Sequence, residues 1–327
     1  MGTMKLTFVN VGYGEAILLE CPDPKSADGT FVMLIDGGSA EVSEFADRST
    51  GRIPLSSYLE ARGLTHIDVM VNTHIHEDHI CGLLPAARAF PPAVLWVIPT
   101  AAAWHGEMKT LDVSLARTPS QRKFIRAIND WQTLCRLVEA HGGRVETPAA
   151  GSSGQLCGPL HYRILAPDTE RIEELETGLR QVFAALEDTF LNVLDSLDCR
   201  MNNFSLMMLL DFQGTRILLP GDTNRAGYGG IDPAMLKADL FKVGHHGQID
   251  GADQPLLDRV RPRAVVCCAS SDRRYNSAHP DLLRMMRDSG AELFFSDCPQ
   301  LPGPHIPPHQ ALLFSIGENG GLTGQYL

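Results

Sequence analysis

The chain of 327 residues is 44% hydrophobic and 20% charged and carries a formal net charge of −11. These are ordinary globular values that allow one large domain with insertions, or two modest ones, around a real core. The acidity argues against a broad basic cradle for duplex nucleic acid, but not against a phosphate-bearing substrate, because bound divalent metals reverse the field locally.

In chain order, "KLTFVNV" and "EAILLEC" read as two strands joined by the turn "GYG", and "PDPKSADG" is a loop of turn-forming residues. "TFVMLIDGG" is an apolar strand ending in an acid and two glycines, and a helix over 54–62 follows, ended by Gly63. "HIDVMVNTH" is a buried strand whose C-terminal end runs into a loop, "NTHIHEDHICG". "ICGLLPAARAF" has helical spacing and closes at Pro91 and Pro92, and "AVLWVIP" is a further buried strand.

The interval 104–200 changes character. It predicts two amphipathic helices, over 119–141 and 168–198, separated by the Gly/Ser stretch "AAGSSGQLCG" and one strand, "LHYRILAP". These helices read as a layer covering a sheet rather than as a lid or dimer arm. Beyond 200, "SLMMLLDFQGTRILLPGD" is a hairpin ending in an acid, and "ADLFKVGHHG" is a strand followed by two histidines. "PRAVVCCAS" is a strand, "HPDLLRMMRDSG" a helix with Pro280 in its first turn and Gly290 at its end, and "AELFFSD" and "HQALLFSI" are late strands. The order suggests a layered α/β protein with two similar halves.

Eight scattered cysteines form no C-x-x-C pair, so no zinc-ribbon spacing is present, and they read as small buried hydrophobes in a reducing compartment. "MGTMKLTFVN" lacks a basic segment followed by an apolar one, and Leu6 stands where a myristoylation signal wants Ser or Thr. No apolar run approaches a membrane span. The expectation is a soluble, cytoplasmic protein with no membrane partner; the oligomeric state is left open.

The stretch "HIHEDH" places three histidines and two acids in six positions, 74 to 79. His74 and His76 are two apart, so both rings can turn to one side of an extended loop, and Asp78 and His79 can point to a neighbouring position. Four ligand-type side chains in one tight loop suit two metal ions sharing a water between them. Imidazole with carboxylate suits zinc first, with manganese or iron as competitors. Glu77 lies between these ligands and is expected to face away. Asp36, Asp222 and the pair His245-His246 also follow apolar strands, and strand ends are where ligands gather in layered α/β folds. Asp222 is the natural bridging carboxylate. Asp36 either caps its own turn or accepts an N–H from a liganding histidine and fixes its tautomer.

With the flanking "LIDGG", "LLPGD" and "HHG", the motif "THIHEDH" resembles the metallo-β-lactamase superfamily. "LTFVNVGYGEAILLE", the N-x-S-L run from Asn203 to Leu206, "KADLFKVGHHG" and "YNSAHP" are similar to the ComEC-type hydrolase domain of DNA uptake and its free-standing relatives. The resemblance covers about 4–100 and 160–298. It implies an αββα sandwich, here one domain over 1–327 with a mostly helical insertion at 104–200. It also implies two divalent metal ions between the sheets, zinc first and manganese second. His74 and His76 would hold one ion, Asp78 and His79 the other, and Asp222 both.

Two departures stand out. The superfamily usually places a histidine where this chain has Asn202-Asn203, and an amide oxygen is a poor transition-metal ligand. The ComEC-like group shares that asparagine. For the last histidine ligand, His245, His246 and His279 compete, and one of the HHG pair is preferred; the others would donate a proton to the leaving group or touch substrate phosphate. Asp78, His246 and His279 are thus the candidate catalytic residues. Asp36, Asn203 and Arg274 are expected behind the ligands or against substrate, although Arg273 and Arg274 also read as plain surface charge.

The reaction expected is hydrolysis by a two-metal-activated hydroxide, first of all on a phosphodiester, with nucleic acid among the substrates. The alternatives are a small-molecule hydrolase acting on a lactone, thioester or β-lactam, and a non-catalytic metal-binding interaction domain.

Overall fold

A computed structural model describes residues 2–26, 28–100, 108–302, 305–317 and 319–327. The N-terminal part supplies β1 (Met4–Val9), β2 (Ile17–Pro22), β3 (Thr30–Ile35), α1 (Leu55–Ala61), β4 (Val69–Val71), α2 (Glu77–Ile80), α3 (Leu83–Ala89), β5 (Val94–Trp96), α4 (Pro119–Ala140) and β6 (Arg144–Glu146). Then come β7 (Ser153–Cys157), β8 (Leu160–Ala166), α5 (Thr169–Ala184), α6 (Glu187–Asp198), β9 (Met207–Phe212) and β10 (Thr215–Leu219). The chain continues with α7 (Pro233–Leu236), β11 (Leu240–Lys242), α8 (Gln254–Val260), β12 (Ala264–Cys267), α9 (Pro280–Asp288), β13 (Glu292–Phe295), β14 (Ala311–Ile316) and β15 (Leu322–Tyr326).

The strands form two sheets, ordered β15-β14-β1-β2-β3-β4-β5-β6 and β13-β12-β11-β10-β9-β8-β7. Each is half antiparallel and half parallel: β3 to β6 run parallel in the first, β10 to β13 in the second. Side chains alternate across a strand, so the second sheet buries both faces. Ile217, Leu219 and Leu240 face the core shared with the first sheet and with α4. Leu218, Phe241 and Val265 face a second core with Leu256, Val260, Leu282 and Met286 of α8 and α9. This is the α/β sandwich that the resemblance implies.

The helix expected over 119–141 is present as α4. Pro119 opens it, and Thr118 and Gln121 form a reciprocal cap that satisfies two of its first N–H groups. Its apolar stripe, Phe124, Ile128, Trp131, Cys135 and Val138, is buried in the shared core. The single helix expected over 168–198 is instead two, α5 and α6, broken at Ala185 and Leu186, whose ψ angles of 141° and 160° are extended. The apolar period runs on through the break, but the helices fold back on one another, and Gly178 gives Leu197 room to pack. The same interval also adds β6 to the first sheet and pairs β7 with the expected strand β8 in the second; β6 and β7 are the strands that the polar sequence hides.

The parallel strands end on one side of the sandwich. Asp36 follows β3, Thr73 and His74 follow β4, Asp222 follows β10, and the HHG turn follows β11. Both sheets thus deliver chemistry-bearing residues to one edge. Among the described residues no helix is long and apolar enough to cross a membrane.

Candidate metal centre

Asp78 and His79 sit on the short helix α2 rather than in a loop. Its first turn, with His76 extended before it, turns Asp78 and His79 toward the second sheet while His74 and His76 stay side by side. Asp78, His79, Asp222 and His246 bring ligand atoms within 4.8 Å of one another. Asp222 Oδ2 lies 2.8 Å from His246 Nε2 and 3.2 Å from His79 Nε2, and Asp78 Oδ2 lies 3.1 Å from His246 Nε2.

Each imidazole is anchored through its outer nitrogen. His79 Nδ1 donates to Asp36 Oδ2 at 2.7 Å, His246 Nδ1 to the Cys268 carbonyl at 2.9 Å, and His76 Nε2 to Asp198 Oδ1 at 3.1 Å. Thr73 gives its one hydroxyl proton to Asp36 Oδ2 at 2.6 Å, so at 3.0 Å from His74 Nδ1 it can only accept. In its neutral form each of the four rings therefore presents a bare nitrogen inward. His74 Nε2 and His76 Nδ1 face each other at 3.0 Å, and His79 Nε2 and His246 Nε2 at 3.4 Å. Facing lone pairs repel unless a cation lies between them. Two nitrogens bound to one tetrahedral zinc ion lie about 3.3 Å apart, so the donor set fits divalent metal.

The electrostatics agree. Burial pushes the Asp78 carboxyl up, but His79 and His246 outweigh it and hold it below the usual carboxylate range. Asp222 is likewise held well below that range against burial, by His246, His79 and Lys242. Burial works against a charged His246, yet Asp222 and Asp78 push it up to about 9. His74, with no carboxylate so close, is driven well down by burial and by His79 and His76.

The other expected residues divide between this cluster and its surroundings. Asp36, fully buried, also accepts from Thr73 N at 2.8 Å, so it orients a histidine rather than merely capping its turn. His245 turns away from the cluster, with Nδ1 on Asp250 at 2.9 Å and Nε2 on Gln248 at 3.0 Å. His279 caps its own helix, accepting from Asp281 N at 3.3 Å. Arg274 is tied to Glu44 at 2.7 Å and to Asp272. Asn203 borders a separate depression with Arg163, Arg171 and Gly227, whereas Asn202 lines the metal-side cleft; the Oδ1 of each is buried without a hydrogen-bond partner among the described residues. Glu77 does face away from the cluster, but it is buried, bonded to Ser39 and paired with Lys123 at 3.3 Å.

Sequence reasoning did not reach Asp198, which orients His76 from α6, nor the buried pair Glu15 and Lys242. Lys242 Nζ bonds Asp222 Oδ1 at 3.1 Å and the Gly221 carbonyl at 2.8 Å, and it pairs with Glu15. Its signal was legible: a lysine inside the apolar run "ADLFKVG", on the same side of the strand as Leu240.

The cleft over this cluster encloses about 360 Å³ and is walled by Tyr13, Lys123, Phe124, Asn202, Gln248 and Tyr275, among others. A larger depression of about 740 Å³ around Val42, Phe45 and Ile53 holds none of the cluster.

Residues 11–170 match the family model of the metallo-beta-lactamase superfamily. The chain is 20% identical over 301 residues to ComE operon protein 3 of Bacillus subtilis, covering 90% of this chain and 32% of that one. It is 23% identical over 264 residues to Recombination protein 2 of Haemophilus influenzae, covering 81% of this chain and 24% of that one. It therefore spans only a third or less of the length of these curated relatives. A solved metallo-beta-lactamase of Cronobacter sakazakii is 13% identical, with 87% of this chain and 88% of that one covered and a TM-score of 0.38. With two sheets delivering histidines and aspartates to one edge, and with that match, residues 11–170 of the chain carry a metallo-beta-lactamase superfamily domain.

Proposed function

We propose that the protein is a metal-dependent phosphodiesterase or nuclease that works with two divalent ions, zinc first and manganese second. The observation that carries this reading is the set of four imidazoles, each tied outward through one nitrogen with the other turned inward, beside Asp78 and Asp222. His74 and His76, with the Asn202 amide oxygen, would hold one ion. Asp78, His79 and His246 would hold the other, and Asp222 would serve both. Such ions would lower the pKa of water and neutralise charge on the attacked centre.

The chain's own residues supply the rest. Asp36, Asp198, Thr73 and the Cys268 carbonyl keep the four rings in the tautomers that leave the inner nitrogens free. Lys242 fixes the Asp222 carboxylate by its outer oxygen, so that Oδ2 faces the histidines. Lys123 stands at the cleft wall, and Arg122, Arg126 and Arg274 border the adjoining depression. Lys123, Arg126 and Arg274 are paired with Glu77, Glu41 and Glu44, so it is likeness to the DNA-uptake hydrolase domain that favours an anionic substrate over a neutral one. A second reading, hydrolysis of a small lactone, thioester or β-lactam, draws support from the modest cleft volume.

Turnover of bis(p-nitrophenyl) phosphate with added Mn²⁺ or Zn²⁺, set against a lactone panel, separates the two. His76→Ala and Asp222→Ala are each expected to abolish metal-dependent turnover; undiminished activity in either overturns the assignment.

A further inference from the structure

One wall of the cleft carries a chain of contacts for which metal binding has no use. It starts at His245, whose left-handed backbone, with φ of 47°, turns the ring away from the cluster. Asp250 Oδ1 accepts from His245 Nδ1 at 2.9 Å, which leaves Nε2 to accept from the Gln248 side-chain amide at 3.0 Å. Gln248 and Tyr13 both line the cleft. Burial, then the Asp78 and Asp222 carboxylates, push the Tyr13 hydroxyl well above its ordinary value.

The Tyr13 ring is clamped. It packs against His246 with centroids 4.6 Å apart and edge-on to Tyr275 at 5.2 Å, and the Arg274 guanidinium lies 5.5 Å from its centroid. Its backbone N–H donates to Glu44 Oε1 at 3.0 Å. The hydroxyl is the one polar end of this clamped side chain. A Gln248 amide proton given to its oxygen would leave its own proton to donate into the cleft.

We propose that Tyr13 is a substrate-contacting residue whose hydroxyl donates a hydrogen bond to an anionic oxygen of the substrate, and that Asp250, His245 and Gln248 are positioning residues that aim it. The inference rests on the phosphodiesterase reading for the nature of that substrate. It assigns His245 a place behind the substrate rather than on a metal.

The test uses the full chain and the variants Tyr13→Phe, His245→Ala and their double, with His246→Ala as the comparison for a ligand. Tyr13→Phe keeps the ring and its packing and removes the hydroxyl alone. The readouts are metal bound per chain after dialysis, kcat/KM on bis(p-nitrophenyl) phosphate with Mn²⁺, and calorimetric Kd of inorganic phosphate for the metal-loaded protein. Tyr13→Phe and His245→Ala are expected to keep the wild-type metal content, while His246→Ala loses metal. Tyr13→Phe is expected to lose about 10- to 100-fold in kcat/KM and to weaken phosphate about 10-fold, the usual worth of a hydrogen bond to a charged group in a dry site.

His245→Ala is expected to lose less, about 3- to 10-fold, and the double variant to be no worse than Tyr13→Phe alone, because the two act through one contact. Tyr13→Phe within twofold of wild type in both turnover and phosphate binding overturns the proposal, and so does metal loss in His245→Ala. Should the wild type hydrolyse no diester while phosphate binding still weakens in Tyr13→Phe, the hydrolytic reading falls and the Tyr13 contact stands. A wild type that neither hydrolyses the diester nor binds phosphate removes both.

Discussion

Asp36→Asn is the most exacting perturbation of the metal-binding reading, because it changes one atom far from any substrate. Asp36 is fully buried and accepts four hydrogen bonds: from Thr73 N at 2.8 Å and Asn72 Nδ2 at 3.2 Å on one oxygen, and from Thr73 Oγ1 at 2.6 Å and His79 Nδ1 at 2.7 Å on the other. An asparagine must place an NH₂ where one oxygen sits. Turned toward Thr73 N and Asn72, that NH₂ meets two donors and no acceptor. Turned the other way, it satisfies His79 only if the imidazole proton moves to Nε2, which removes the bare nitrogen. Either outcome removes a charge-assisted hydrogen bond worth about 1.5–3 kcal/mol. Loss of such a partner behind a liganding histidine lowers metal affinity about 10- to 100-fold. Titration of the metal-loaded protein with a chromophoric chelator measures that loss, and a urea melt of the metal-free form reads the stability change separately. An Asp36→Asn protein that holds metal as tightly as wild type would refute the tautomer argument.

Lys242→Met leaves Glu15 buried without its cation, so the metal-free protein is expected to lose about 3–5 kcal/mol in urea, and adding Glu15→Gln should recover part of it. Trp131→Ala empties a fully buried site under the first sheet and removes the bond to the Pro99 carbonyl; a loss of about 3–5 kcal/mol is expected by the same assay. Asp198→Ala frees His76 Nε2 without touching the fold of the sheets, and is expected to lower metal content at the His74–His76 position about 10-fold or more, read by elemental analysis after dialysis. In the metal-free protein His246 is raised from 6.5 to about 9, and a raised pKa stabilises below the unfolded value and ceases to do so above the folded one. Stability should therefore fall between pH 6.5 and 9, by up to about 3 kcal/mol, whereas with metal, which needs the deprotonated ring, the melting temperature should not fall over that window.

What the sequence showed of this site follows from how far each signal reaches along the chain. "HIHEDH" was legible because four ligand-type side chains stand within six residues at the end of an apolar strand, and Asp36 and Asp222 were legible because each ends a strand of its own. The choice between His245 and His246 was not. Both residues take a left-handed backbone, with φ of 47° and 51°, and it is that turn which sends one ring to the cluster and its neighbour to Asp250. Spacing carries no record of it. Asp198 was hidden for a different reason: it lies 122 residues from His76, on the last turn of a helix whose period marks it as one more surface carboxylate.

The same distinction between local and distant causes separates the elements that the periodicity placed from those it missed. The stripe of α4 repeats for 22 residues, so its period identifies it without reference to anything else. β6 and β7 are short edge strands with exposed polar residues, and what makes them strands is the neighbour they pair with rather than a pattern of their own. The bend at Ala185 and Leu186 is of this second kind: nothing between Asp168 and Asp198 breaks the apolar period, and the two helices fold back so that Leu197 packs against Gly178. That bend also brings Asp198 back to the strand end where His76 sits. A proline at 186, where the extended backbone suits it and the helix is already broken, should therefore be tolerated, while an insertion that straightened the pair would carry Asp198 away and with it the proton that fixes His76. Metal content measured on the two variants, at matched far-ultraviolet helicity, distinguishes a bend that serves the site from one that merely shortens a helix; equal metal in both would remove the connection.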